Sequence, residues 1–472
     1  MLRVPEERFP RRDPAAVAGF IAFCRDEARR DGRPRLGSIS LEVPHIDPLA
    51  VLQSSYAPDE LHFYLEKPAV GEAIAGVDAV ESATFAGPPR FAAARDWANE
   101  VQSRLIALGD LATPRAGPHF FAGFVFADEA APSAAFAPAT IFLPRWQVAA
   151  SQGRYVAVAN VRVSPDADVD ALAARVHAAH AKFSAFPYAS PIAAAKPVAP
   201  TEISETGGAG WFETAVAEAL ARIRAGAYRK IVLARALDLA HSSPFLPLDA
   251  LNHLRERFPA CFGFSLANGR GQSFIGATPE RLARLQGREL LTEALAGSAP
   301  RGATASEDAQ LGRALLSRTK EVHEHQVVLE AIMRRLHNLG LSSVTAEHAR
   351  LLLLPNVQHL WSPVSATLPP NLHLLDVLAM LHPTPAVGGQ PRNAARPDIA
   401  RLERFDRGLY AGTVGWFDHA GDGEFVVAIR SALMDGSRAR LFAGAGIVEG
   451  SVPAEEKAET ELKLAALLEA LR

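Results

Sequence analysis

From residue 409 the chain runs through three β-like stretches, "LYAGTVGWFD", "GEFVVAIRSALMD" and "RARLFAGAGIV", before the helical pattern "PAEEKAETELKLAALLEALR". Turns as short as the one at Asp422 and Gly423 join them, and strands joined so tightly pair antiparallel. Upstream the design recurs, with strands at "CFGFSLA" and "SFIGAT" and a hairpin in "ARLQGRELLTEALAGS". Helical stretches are few: "WFETAVAEALARIRAG", where Gly226 can adopt a left-handed cap, and "SRTKEVHEHQVVLEAIMRRLHNLG". The first 185 or so residues alternate "SISLEV", "LHFYLE", "FAGFVF", "TIFLPRWQVA" and "YVAVANVRV" with Ala-rich helical pieces such as "ADVDALAARVHAAHAKF". This is mixed α and β without a regular βαβ rhythm. Residues 189–210, rich in Pro, Ala, Ser and Gly, read as a linker or long exposed connection, dividing residues 1–205 from 206–472.

A chain of 472 residues with 49% hydrophobic and 21% charged residues can bury a large core, as one big domain or two to four ordinary ones. The formal charge of -3, with no cluster of four or more lysines or arginines, gives no footprint for nucleic acid or a membrane surface. Small molecules or protein are the expected partners. Two cysteines, Cys24 and Cys261, offer no metal-binding spacing and fit a reducing compartment. "MLRVPEERFPRRDP" lacks the apolar core of a signal peptide, so the chain reads as soluble and cytoplasmic.

The candidate chemistry begins at Lys230, which heads the apolar run Ile231, Val232, Leu233, Ala234. Either its ammonium reaches solvent just outside the strand, or it is buried at a cost that something offsets. Glycines 444, 446 and 450 do not have dinucleotide spacing; they form a simple turn or bring backbone close to an anion. His323 and His325 are two apart, where paired metal histidines on a helix need four. On that helix His325, Leu329, Ile332 and Leu336 make the apolar stripe, with Glu324 and Glu321 at its edge. On the last helix Glu456, Glu459 and Lys463 share one face, as a surface ion pair or as part of a site. Two such helices could hold Mg2+ with few carboxylates, the remaining ligands being water and substrate oxygens. Arg430, read as the end of a buried strand "FVVAIR", suggests a fork for a carboxylate or phosphate. Glu280 follows a strand end and Pro279; taken singly it reads as an acid at a helix N-terminus.

Taken together, "KIVLAR", "GATPERL", "EALAGSAPRG", "EHQVV", "NVQHLWSPVSATL", "LHPTPAVGGQPR", "RGLYAGTVGWFD", "FVVAIRSA" and "FAGAGIVEGSVPAEEKAETELK" occur in the order found in chorismate-utilising enzymes. The chain resembles the isochorismate synthases among them, nearly continuously from about residue 225 and more loosely before it. The resemblance implies an α+β fold of two large, mainly antiparallel β-sheets packed together and surrounded by helices. It makes the linker a surface connection within one structural domain. Carried over residue by residue, Lys230 matches the general base, Glu280 the general acid, and Glu324 and Glu459 the Mg2+ carboxylates. Tyr410 and Arg430 match the grip on the enolpyruvyl carboxylate. Lys463, Gly444 and Gly446 match the surroundings of the ring carboxylate, with Gly297, Ser298 and His359 in the substrate pocket.

The implied activity is Mg2+-dependent conversion of chorismate to isochorismate, without an organic cofactor. Lys230 would deprotonate the water that adds at C2, while Glu280 protonates the hydroxyl leaving C4. The base must start neutral and the acid protonated, against ordinary pKa values of about 10.4 and about 4.3. Burial pushes both in the needed direction. Relatives that use ammonia carry a threonine where this chain has Ala386, and salicylate-forming relatives tend to as well. An alanine cannot hydrogen-bond an incoming amine, so water leads and no glutaminase subunit is expected. The rivals are an aminating or salicylate-forming enzyme and a protein that binds chorismate without turning it over. The product could feed menaquinone, a siderophore or salicylate; "LHPTPAVGG" and the long N-terminal half lean to menaquinone.

Overall fold

The computed structural model describes residues 1–4, 14–184 and 200–471. Half of the segment read as a linker, 189–199, therefore lies outside the described residues, whereas 202–205 form a strand. The described residues form 22 strands and 11 α-helices. Every strand pairing is antiparallel except the two made by Leu105–Leu108, which lies parallel to both Leu2–Val4 and Arg35–Glu42.

The long strand Ala139–Ser151 is where the sheet divides. Its second half pairs with Arg154–Val163, its first half with His119–Phe124, and Glu72–Phe85 follows both halves on the other edge. One arm runs from Glu72–Phe85 through Leu61–Lys67, Phe262–Asn268, Gln272–Thr278, Ser431–Asp435 and Arg438–Val448 to Lys230–Ala240. The other runs from His119–Phe124 through Thr413–Asp418, Gly423–Val427, Arg281–Gln286 and Glu289–Pro300 to Val357–Thr367. The arms share one apolar core, in which Phe63 of the first stacks on Phe121 of the second at 4.5 Å between ring centroids. The expected two packed, mainly antiparallel sheets are present, continuous through one bent strand. Strands from either side of residue 205 are neighbours in both arms, as in Leu61–Lys67 beside Phe262–Asn268.

Local details differ from the sequence reading in three places. "GEFVVAIRSALMD" is two strands, Gly423–Val427 in one arm and Ser431–Asp435 in the other. Arg430 thus stands at the crossover, with φ 51° in the left-handed region, rather than at a strand end. Apolar alternation cannot reveal the break, because both pieces are buried and their pattern runs through it. Glu280 precedes the strand Arg281–Gln286, not a helix, so dipole stabilisation does not apply to it. The strand Glu72–Phe85 carries small and acidic residues that hide it, and one of them is required: a Cβ at Gly76 would overlap the Phe121 ring. Cys24 and Cys261 are both buried and free. Among the described residues no helix is long and apolar enough to cross a membrane.

Candidate active site

Lys230 opens the strand Lys230–Ala240 and is 0% exposed, which removes the reading in which its ammonium reaches solvent. Its Nζ lies 2.8 Å from Glu324 Oε1, in an orientation that makes no hydrogen bond. Side chains alternate along a strand, so Val232 shares the Lys230 face. Across the ladder Val232 lies opposite Gly446 and Ala234 opposite Gly444. Both glycines make room. A Cβ at Gly446 would overlap Glu324 Oε1 and reach 3.1 Å from Lys230 Cε; one at Gly444 would come 2.7 Å from the Tyr410 hydroxyl.

Two helices deliver the carboxylates. Glu324 comes from Thr319–Asn338, whose buried face includes Val328, Ile332 and Leu336. Glu459 and Lys463 come from Pro453–Ala470, and their spacing of four puts them on one face. Lys463 Nζ donates to Glu459 Oε1 at 2.6 Å and to the Gly444 carbonyl at 2.8 Å. Burial alone would raise the Glu459 pKa, but the charge and hydrogen bond of Lys463, aided by Lys320, bring it down to about 2. Glu456, one turn earlier, is 1% exposed and held by Lys320 at 2.6 Å, so this face is no solvated ion pair.

Glu280 has the opposite character. It is 3% exposed, and burial together with the charge of nearby Glu293 pushes its pKa up to about 8, while Lys230 and Lys463 restrain the rise. Glu293 is itself fixed by the Arg281 backbone N–H at 2.6 Å and the Trp361 indole N–H at 2.8 Å. Glu280, pushed up by burial, and Glu459, held down by Lys463, are how one site can hold both a proton donor and a charged ligand.

Between them sits a hydrogen-bonded chain. Arg430 Nη2 lies 3.2 Å from His359 Nε2, and His359 Nδ1 lies 3.0 Å from Ser298 Oγ. A guanidinium only donates, so Nε2 accepts, Nδ1 carries the hydrogen and donates to Ser298, and the serine hydroxyl keeps its own hydrogen for the cleft. Burial, with Arg430 and Lys463 nearby, depresses the His359 pKa to about 3, which keeps the ring neutral. Ser298 faces His359 because the ladder is bulged at Gly297, whose φ is 77° and whose Cβ would sit 3.0 Å from the Glu321 carbonyl. Among the described residues Arg430 pairs with no carboxylate, so its fork is available to an anion from outside.

Glu280, Gly297, Ser298, Glu324, His359, Ala386, Tyr410, Arg430, Gly444, Gly446, Glu459 and Lys463 all line one cleft. Lys230 is not among the lining residues; it meets the cleft through its contact with Glu324. The lining also includes Val232, Leu295 and Val387, which the sequence reading did not single out. Val232 was open to it, being two residues beyond Lys230. His323 and His325 do not converge: His325 turns inward to Ser362 Oγ at 2.9 Å. Among the described residues no three His, Cys, Asp or Glu side chains form a metal cage. Glu324 and Glu459 nonetheless present two hard oxygen donors to one cleft, which suits a cation that takes its other ligands from water and substrate, as Mg2+ does.

Fold and cleft define a two-armed, mainly antiparallel α+β protein whose cleft is lined by Arg430, Lys463 and the carboxylates Glu280, Glu324 and Glu459. The chain belongs to the chorismate binding enzyme family, whose pattern matches residues 22–472. It is 37% identical over 466 residues to the salicylate biosynthesis isochorismate synthase of Pseudomonas aeruginosa, covering 97% of this chain and 94% of that one. Among solved structures it is similar to MenF, the menaquinone-specific isochorismate synthase from Escherichia coli. That likeness has a TM-score of 0.77 at 26% identity and covers 96% of this chain and 100% of that one. Anthranilate synthase component I from Streptococcus pneumoniae shares the fold, with a TM-score of 0.70 at 22% identity over 84% of this chain and 92% of its own.

Proposed function

We propose that this chain is an isochorismate synthase, converting chorismate to isochorismate by adding water at C2 as the C4 hydroxyl leaves. One observation carries the reading of its chemistry: Glu280 lines the cleft almost wholly buried, where burial and the nearby Glu293 push its pKa up to about 8. A group protonated at neutral pH and shielded from water is what a departing hydroxyl needs. Mg2+ held by Glu324 and Glu459 would supply positive charge for the ring carboxylate of a dianionic substrate. Lys463 and the backbone at Gly444 and Gly446 border that carboxylate, and Arg430 with Tyr410 takes the enolpyruvyl carboxylate. Lys230, whose neighbour Glu324 is the candidate ligand, accepts the proton of the attacking water, and Glu280 delivers one to the C4 oxygen. Ala386 offers no hydrogen bond to an amine, which favours water as nucleophile and makes a glutaminase partner unnecessary. Pairing of strands across residue 205 supports treating the whole chain as one catalytic unit.

The test is product analysis after incubation with chorismate and Mg2+, with and without ammonium salts at alkaline pH. Isochorismate as the sole product in both is expected. Aminated product or salicylate with released pyruvate would assign the chain to another branch of the family, and tight chorismate binding without turnover would make it a binding protein.

A further inference from the structure

The strand that begins at Lys230 has a gap along one edge. Its other edge is paired throughout with Arg438–Val448. On the gapped edge Gly389–Gln390 covers Lys230 and Ile231, and Glu202–Glu205 covers Leu237 to Ala240. Between them no strand among the described residues lies alongside, yet the backbone there is buried and its polar groups need partners. Val232 N–H donates to the Gly388 carbonyl at 2.7 Å, and the Ala236 carbonyl accepts from Thr206 N–H at 3.0 Å. Two of the groups in the middle are satisfied by side chains. Arg407 Nη2 donates to the Val232 carbonyl at 2.9 Å, and Ala234 N–H donates to Glu403 Oε1 at 2.7 Å.

Those two side chains form a fork of their own: Arg407 Nε reaches Glu403 Oε2 at 2.8 Å and Nη2 reaches Oε1 at 2.5 Å, with both residues buried. The remaining contact matters most. Arg407 Nη1 donates to the Val387 carbonyl at 2.7 Å, and Val387 and its neighbour Ala386 both line the cleft. One guanidinium therefore ties the strand carrying Lys230 and Val232 to the wall carrying Ala386 and Val387. A third cleft residue hangs from the same point, since Tyr410 N–H donates to the Arg407 carbonyl at 2.9 Å. Arg407 itself does not line the cleft.

We propose that Arg407, held by Glu403, is a positioning residue for the reaction: it replaces a missing strand and sets the distance between the base-bearing strand and the wall beside Ala386. This rests on the function proposed above. A lysine at 407 is a point charge and cannot reach Glu403, Val232 and Val387 together in that planar geometry. Displacing a reacting group by about 1 Å can cost on the order of 100-fold in rate. Of the groups that grip the substrate carboxylates, Arg430 and Lys463 come from other segments, and Tyr410 is held through the main-chain carbonyl of residue 407, which a lysine keeps, so binding should be spared.

The experiment compares Arg407→Lys, Glu403→Gln and a control, Arg255→Lys, which weakens the fork between Arg255 and Asp47 away from the cleft. For each, kcat and KM for chorismate are measured per folded molecule, beside the melting temperature. Turnover by the wild-type protein tests the assigned reaction; the variants test the positioning. Arg407→Lys is expected to lose about tenfold or more in kcat with KM within about threefold, Glu403→Gln to lose several-fold, and Arg255→Lys to melt earlier with kcat unchanged. Normal kcat in folded Arg407→Lys would overturn the proposal. Should that variant not fold, Glu403→Gln decides: a several-fold fall in kcat supports the proposal and wild-type kcat overturns it.

Discussion

Replacing Glu280 by Gln should make the protein more stable and inactive, and the gain should grow with pH. In the folded chain Glu280 holds its proton up to about pH 8, whereas in the unfolded chain it gives it up at the ordinary carboxyl value near 4.5. Across that window the native state binds more protons than the unfolded one, so this residue makes stability fall as pH rises, and the loss levels off above pH 8. At 1.36 kcal/mol per unit, the penalty is about 2 kcal/mol at pH 6 and about 4 kcal/mol at pH 8. Glutamine keeps the shape of the protonated acid and cannot ionise, which removes the penalty at both values. Taking roughly 1–2 °C per kcal/mol for a chain of this size, the variant should melt roughly 2–4 °C above wild type at pH 6 and 4–8 °C above it at pH 8. Melting curves in one ionic strength across this range are the assay. An increment that does not grow with pH, or a variant that melts earlier at pH 8, would refute the argument that burial beside Glu293 keeps Glu280 neutral.

Three further outcomes follow from the geometry. The kcat/KM of the wild-type enzyme should fall as pH rises through about 8, where Glu280 loses the proton it must deliver; a profile flat to pH 10 would exclude it as the acid. Glu324→Gln and Glu459→Gln should each raise the Mg2+ concentration needed for half activity by tenfold or more while the fold persists, and full wild-type activity in excess EDTA would remove the metal from the account. Gly446→Ala should fold yet lose most activity, because its methyl would occupy the position of Glu324 Oε1; unchanged turnover would mean that Glu324 is free to move aside.

How much of this was legible in the sequence depended on whether the signal was local. Lys230 stood out because an ammonium at the head of an apolar run is an anomaly in itself, and Glu459 with Lys463 because a spacing of four states a shared helix face. The resemblance then brought Glu280, Ser298 and His359 to one place. Arg430 is conspicuous for its charge, but its place at the crossover is not legible, since nothing local marks the point where the chain leaves one arm for the other. The setting of Glu280 is equally ambiguous, because an acid after proline reads the same whether a helix or a strand follows. Strand partners such as Leu61–Lys67 and Phe262–Asn268 were not legible, because register across about 200 residues is fixed by packing, not by either segment alone. Nor were Glu403 and Arg407, whose meaning lies in backbone groups of strands distant in sequence.

The central claim is tested most directly by turning over chorismate in water enriched in oxygen-18. If Lys230 activates water for attack at C2 and Glu280 releases the C4 hydroxyl, the isochorismate formed by the wild-type protein carries one heavy oxygen, located at C2. Lys230→Ala should bind chorismate with turnover reduced by roughly 10²–10⁴-fold, as the loss of a general base predicts. Isochorismate free of label, or label incorporated at the wild-type rate by Lys230→Ala, would contradict the mechanism.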